Sequence, residues 1–293
     1  MALLALGTTA ARAAPGKPRA AASDDLRRTL DVRFREIERT SRGRLGVQIV
    51  DTATGAEYGH RADERFLMCS TFKLLASALV LHRADRGLEK LDRRIVFGKE
   101  ALVPHSPVTE QHLGGAGMTL AELCEATMTT SDNAAANLIL ASYGGPAAVT
   151  AFVRTLGDRT TRLDRYEPHL NRWDDERDTT SPSAMLASLG KVALGDALAP
   201  PSRELLVRWL RANTTGDTRL KAGLPAGWAI GDKTGAGDGT TNDIGIVWPP
   251  AGRAPLLVTA YLTRSSASFE ARNAALAQVG RLLPMIVAAP GTR

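Results

Sequence analysis

Over residues 24–40, apolar Leu26, Leu30, Phe34 and Ile37 recur three or four apart between charged neighbours. That spacing predicts an amphipathic helix, with Ser23 or Asp24 as its N-cap. The period then drops to two. Leu45, Val47 and Ile49 alternate with Gly46 and Gln48, which predicts a strand, and residues 51–55 form a turn into a second strand around residues 57–60. The stretch 70–81 is apolar nearly all round, as in a helix buried on every side. Helical spacing continues through 120–128, 134–141, 147–156, 184–192 and 204–212. Strands return at 228–232, 244–248 and 256–262, before a last amphipathic helix carrying Phe269, Leu276, Val279 and Leu283.

Strands at both ends of a helical middle predict an α/β fold of the α+β sandwich kind. One mixed, mainly antiparallel sheet is flanked by the terminal helices, and an all-helical lobe is inserted into it. The expected division is an α/β lobe of residues 24–65 and 213–293, an all-α lobe of 66–212, and an active site at their junction. A chain of 293 residues, 44% hydrophobic and 23% charged, has ample apolar surface for such a core.

The formal charge of +6 invites a nucleic-acid reading, but acidic residues are interspersed throughout and aromatics are only 5%. No nucleic-acid partner is expected. The opening, MALLALGTTAARAAPGKPRAAASDD, is apolar over residues 1–6 and offers Ala11-Arg12-Ala13 as a cleavage site. Residues 1–23 are therefore expected to be an export signal and disordered tail, and the protein periplasmic or secreted. No later segment is apolar for long enough to span a bilayer. Two cysteines, Cys69 and Cys124, make no disulfide framework. Five histidines show no metal-binding spacing, so neither a metal nor a cofactor is expected. The chain is expected to act as a monomer on a small molecule.

At the mouth of the buried helix stand Ser70 and Lys73. A Ser-x-x-Lys pair is expected about once by chance in a chain of this length, and Ser188-Leu189-Gly190-Lys191 is a second match. Three further stretches separate the two. Ser131-Asp132-Asn133 precedes an alanine-rich helix and alone is only an N-cap signal. Lys233-Thr234-Gly235 closes a strand and alone is a strand edge. Glu167-Pro168-His169-Leu170-Asn171 lies in the polar segment 162–178, alone a surface loop.

In this order the motifs are those of class A β-lactamases and penicillin-binding proteins. The sequence resembles a class A serine β-lactamase from about Asp24 to the last helix, and the Glu-Pro-x-Leu-Asn stretch favours that class over its relatives. The resemblance implies that Ser70 attacks a lactam carbonyl and becomes acylated. The backbone N–H groups of Ser70 and Ala236 would form the oxyanion hole. Ser131 would protonate the leaving nitrogen, and Asn133 would bind the substrate's side-chain amide. Lys233, Thr234 and Gly235 would bind its carboxylate. Glu167, with Asn171, would hold the hydrolytic water, and either Glu167 or Lys73 would activate Ser70. On a helix, Lys73 shares a face with Ser70, and a desolvated lysine near other cations can accept a proton.

The chain departs from the family at several points. Where many relatives carry a carboxylate-binding arginine after Lys-Thr-Gly, Asn242 stands, and the role passes to Arg219. Carbapenem-hydrolysing relatives bridge the cysteine before the nucleophile to a position that here is Gly237, and others pair the equivalent of Cys124 with a position that is Ser77. Two free, buried thiols are expected. The resemblance also implies an Arg165–Asp178 pair at the neck of the Glu167 loop and a cis Glu167-Pro168 bond. That loop is about two residues short and lacks an Ile-Pro pair. Trp173 either fills the missing apolar plug, or the shorter loop leaves room for bulky oxyimino cephalosporins. A D,D-peptidase and a non-catalytic lactam sensor share the Ser-Lys groups, and Glu167 argues against both.

Overall fold

A computed structural model describes residues 18–288; of the expected export signal and tail at 1–23, residues 1–17 lie outside them. The first half of the chain runs α1 (Pro18–Thr40), β1 (Arg44–Asp51), β2 (Ala56–His60), β3 (Phe66–Leu67), α2 (Phe72–Asp85), β4 (Arg94–Ile95), β5 (Met118–Thr119), α3 (Leu120–Thr129) and α4 (Asn133–Ser142). It continues through α5 (Pro146–Thr155), β6 (Thr179–Thr180), α6 (Pro182–Ala193), α7 (Pro200–Arg211), α8 (Leu220–Gly223), β7 (Ala229–Gly237), β8 (Thr240–Trp248), β9 (Leu256–Thr263) and α9 (Phe269–Ala288).

The main sheet has five antiparallel strands in the order β2-β1-β9-β8-β7. Its central pairing sets Val47 opposite Ala260 and Ile49 opposite Val258. The alternation in β1 decides what each face meets. Leu45, Val47 and Ile49 turn toward Leu30, Phe34 and Ile37 of α1 and Leu276, Val279 and Leu283 of α9, forming one apolar cluster. Gly46 points the other way, where a Cβ would sit 2.4 Å from the Phe66 ring. Only glycine lets that strand lie so close to β3. On this second face, Ile244, Ile246 and Tyr261 of the sheet join a larger cluster built mainly from α2, α3, α4, α5, α6 and α7. Each large aliphatic chain so buried contributes about 1.5–3 kcal/mol, and α2, buried from Phe72 through Leu81, is the axis of the helical side.

Three expectations change. The first helix starts at Pro18, so Ser23 and Asp24 lie inside it rather than capping it, and residues 18–23 are helical rather than a disordered tail. Ala20, Ala21 and Ala22 are the strongest helix formers available, which favours carrying the helix back beyond Ser23. Ser70 sits on a 3-10 turn, Cys69–Thr71, that leads into α2. Finally, β7 continues through Lys233-Thr234-Gly235 to Gly237, paired with β8 throughout, so the motif lies within the strand.

Candidate active site

The turn carrying Ser70 is held under strain. Cys69 adopts the left-handed conformation at φ 45°, which costs of order 1–3 kcal/mol for a side-chain residue and persists only where the surroundings dictate it. Here they do. Asn242 on β8 donates from Nδ2 to the carbonyls of Leu67 (2.8 Å) and Met68 (3.0 Å), and the Met68 N–H bonds the Asp178 carbonyl at 2.9 Å. The sheet and the neck of the 162–178 loop therefore pin the turn carrying Ser70 from both sides.

Lys73, three residues after Ser70 and the second residue of α2, is fully buried. Its Nζ donates to the Ser131 carbonyl (2.7 Å), Ser131 Oγ (3.2 Å) and Asn133 Oδ1 (2.5 Å), and lies 3.4 Å from Glu167 Oε1. Ser131 is at φ 61° in the link between α3 and α4. The middle residue of its motif is structural. Asp132 caps α4 through Ala135 N (2.8 Å) and accepts the N–H groups of Val108 and Thr109, both at 2.9 Å. So anchored, Asp132 leaves Ser131 and Asn133 facing Lys73.

Lys233, also fully buried, reaches the same hydroxyl from β7. Its Nζ donates to Ser131 Oγ at 3.1 Å and to the Thr234 carbonyl at 2.9 Å. Burial lowers the pKa of Lys73, against the pull of Glu167, and drives that of Lys233 well below the usual lysine range, with the Lys73 charge adding to the effect. Two lysine amines with lowered pKa values, both bonded to one serine oxygen, can exchange a proton with it.

Glu167 enters from the loop. Its N–H donates to Asn137 Oδ1 and its carbonyl accepts Asn137 Nδ2, both at 3.0 Å. Ser70 Oγ donates to Oε1 at 3.2 Å, and Asn171 Nδ2 donates to Oε2 at 2.6 Å. The Glu167-Pro168 bond is cis, and Arg165 pairs with Asp178 at 2.5 Å. The loop's apolar plug is Leu170, fully buried in the helical cluster, whereas Trp173 is half-exposed.

A cavity of about 340 Å³ opens on this cluster, and eight of the eleven predicted residues line it, with Lys73, Glu167 and Lys233 just behind. Ala236 is exposed on its rim. Arg219 is no surface arginine: it is 4% exposed, donating from Nη1 to the carbonyls of Gly235 (2.9 Å) and Asn242 (2.6 Å) and from Nε to Asn273 Oδ1 (3.0 Å). Asn242 turns to the Ser70 turn and takes no place in the cavity. Cys69 and Cys124 are free and buried.

Sequence reasoning missed several participants. Asn137, which clamps Glu167, lies four residues after Asn133 on the same helix face, and that spacing was available as a signal. His105 and Phe269 line the cavity, and Thr215 contributes a hydroxyl 2.5 Å from that of Thr234. Arg272 donates to Thr241 Oγ1 at 3.1 Å beside Phe269. These come from loops and a helix start with no local pattern.

Comparison with known proteins agrees with this geometry. The profile of the Beta-lactamase enzyme family matches residues 29–286. Beta-lactamase L2 of Stenotrophomonas maltophilia is 49% identical over 280 residues, spanning 94% of this chain and 92% of the relative. Beta-lactamase CTX-M-8 of Citrobacter amalonaticus is 47% identical over 250 residues, spanning 84% and 85%. Among solved structures, an ancestral (GNCA) class A β-lactamase superposes with a TM-score of 0.86 at 60% identity, covering 88% of this chain and 99% of that one. With a shared fold, a shared profile and near-half identity across nearly its whole length, the chain belongs to the class A serine β-lactamases.

Proposed function

We propose that this enzyme hydrolyses penicillins and cephalosporins through a Ser70 acyl-enzyme, acts as a monomer in the periplasm or outside the cell, and confers resistance to those antibiotics on its host. The observation that carries the catalytic reading is the Glu167 carboxylate, which accepts from Ser70 on one oxygen and from Asn171 on the other. A base that touches the nucleophile stands beside the ester that the nucleophile will form.

In the first step Ser70 Oγ bonds to the lactam carbonyl carbon. Its proton leaves to Glu167 directly, or to Lys73, which lies 3.4 Å from the same carboxylate oxygen. The N–H groups of Ser70 and Ala236 stabilise the oxyanion. As the carbon–nitrogen bond breaks, Ser131 Oγ gives its proton to the nitrogen and is resupplied through the lysines that bond it. Lys233, Thr234, Gly235 and Arg219 form the carboxylate end of the site, and Asn133 meets the side-chain amide. In the second step Glu167, with Asn171, takes a proton from water as its oxygen attacks the ester carbon, and the serine oxygen leaves reprotonated. The two-lobe division, 24–65 with 213–293 against 66–212, belongs to the same reading and is supported by the separate apolar clusters on the two faces of the sheet. The apolar stretch at residues 1–6 supports export.

The test is turnover of nitrocefin by purified protein, with the Glu167→Ala variant beside it. The wild type should turn over many times per enzyme. Glu167→Ala retains Lys73, so it should still acylate but deacylate on the order of 10²–10⁴-fold more slowly, leaving a penicilloyl adduct visible by mass spectrometry. A single stoichiometric burst from the wild type, or rapid regeneration of the variant, would sink these roles.

A further inference from the structure

One aromatic near the site has no part in these steps. Trp173 lies two residues past Asn171, is 36% exposed, and stacks on the Arg264 guanidinium with 4.9 Å between Cζ and the ring centroid. Arg264 follows β9 at φ 54°, on a turn fixed to the end of the sheet. Ser265 N donates to the Gly239 carbonyl at 3.0 Å, in the β7–β8 hairpin, and Ser266 N to the Arg42 carbonyl at 3.2 Å. The loop segment 172–177 is otherwise knit to itself and its own neck: Arg165 holds the Arg172 carbonyl at 2.7 Å and Asp174 at 3.0 Å, and Arg177 holds Asp174 and Asp175. Among the described residues, its hydrogen bonds, ion pairs and ring contacts beyond 162–180 reach two partners. Glu176 meets Arg65 at 3.4 Å, and Trp173 meets Arg264.

The second tie joins the loop to the turn after β9, which is itself bonded to the β7–β8 hairpin at Gly239. A Cβ at Gly237 would lie 3.3 Å from the Asn171 carbonyl and 3.8 Å from its Cβ, so where Asn171 sits sets the width of the cleft at that end. Asn171 is also the residue that holds Glu167 Oε2. We propose that the Trp173–Arg264 stack is a specificity-determining latch. Closed, it keeps Asn171 on Glu167 and the cleft narrow at Gly237. Released, it admits bulkier acyl side chains and slows hydrolysis of the acyl-enzyme. The inference rests on the reading of Glu167 as the deacylating base. Trp173 is then a positioning residue, acting through Asn171.

Three variants test it: Trp173→Ala, Trp173→Phe, which keeps a ring, and Arg264→Asn, which removes the cation with a residue that tolerates the left-handed backbone. Rates are taken per active site, titrated by acylation, so misfolded protein does not count. With benzylpenicillin, single-turnover deacylation should slow roughly two- to fivefold in Trp173→Ala and Arg264→Asn, the scale of a half-exposed cation–π contact. Where deacylation limits turnover, kcat and KM should fall together with kcat/KM little changed. For cefotaxime, whose oxyimino side chain is bulky, kcat/KM should rise by a similar factor. Trp173→Phe should restore wild-type values on both substrates, and the double variant should match either single one. Wild-type deacylation and an unchanged cefotaxime-to-benzylpenicillin ratio in both single variants would overturn the latch. Equal losses on both substrates with a lower Tm would also overturn it, assigning Trp173 to stability alone. Normal deacylation by Glu167→Ala would instead break the underlying reading, and the inference with it.

Discussion

At the scale of single residues, Gly237 shows how one missing Cβ sets chemistry. A Cβ built there lies 3.1 Å from Cys69 Sγ, the separation across which a disulfide places one sulfur from the other's Cβ. Gly237→Cys is therefore expected to close a bridge to Cys69 under oxidising conditions. Thiol titration of the unfolded protein should find two thiols in the wild type and one, Cys124, in the variant; three would refute the geometry. The bridge should add about 2–4 kcal/mol, less any strain. Arg219 is a different case, because its role is split. Its Nη1 and Nε are spent on the Gly235 and Asn242 carbonyls and on Asn273, yet it lines the cavity. Arg219→Ala should lower both penicillin kcat/KM and Tm, with about 1.5–3 kcal/mol on the binding side from a lost charge-assisted bond. A drop in Tm with unchanged kinetics would make it purely a tie between β7, β8 and α9.

At the scale of elements, the sequence is legible where a repeated period reports burial and silent where geometry is decided across the chain. Phe72 to Leu81 reads as buried because it is apolar on every side, and α3, α4 and α6 are found within two residues of their ends. Lys233-Thr234-Gly235 breaks the apolar pattern, so β7 reads as stopping early. The strand continues because the turn of Ser70 covers it: Lys233 is buried against Ser131, and a Cβ at Gly235 would be 2.8 Å from the Met68 carbonyl. The two-residue ladder of β3 with β6 is too short for any period to show, yet it clamps the loop carrying Glu167 to the segment before Ser70. The site's motifs were legible because each is contiguous. Of the partners that fix their geometry, Asn137 on Glu167 carries only the faint mark of its helical spacing from Asn133, and Asn242 on the Met68 carbonyl carries none, since its bond is made 174 positions away.

At the scale of the molecule, a seam of buried charged side chains runs from Lys73 through Lys233 and Asp232 to Asp243 and Arg219. Asp243 is fully buried, accepts Leu220 N at 3.1 Å on one oxygen, and has no donor on the other among the described residues, with the buried Asp232 carboxyl as its neighbour. Burial first, and then the Asp232 charge, push its pKa well above the carboxylate range against the pull of Arg219; Asp232 is raised as well, chiefly by burial. Both shifts favour the protonated form, so the pair is expected to hold one proton in the fold. The unfolded chain releases it near 3.9. Between that value and the raised folded pKa the native state binds more protons, so this pair's contribution is fully present below about pH 4 and is lost as pH rises through the folded pKa. Lys73 and Lys233 act with the opposite sign. Their lowered pKa values leave the unfolded chain with more protons, so their part rises with pH toward about 10.4. Asp243→Asn separates the two effects: the amide N–H₂ replaces the shared proton, its oxygen still accepts Leu220 N, and the lysines are untouched. Stability of the variant minus that of the wild type should therefore grow with pH from 5 to 9, by at most about 1.4 kcal/mol per pH unit, as read from denaturant midpoints at each pH. A difference that stays constant across that range would mean that Asp243 is ionised in the fold and that Arg219 and Lys233, rather than a shared proton, neutralise the seam.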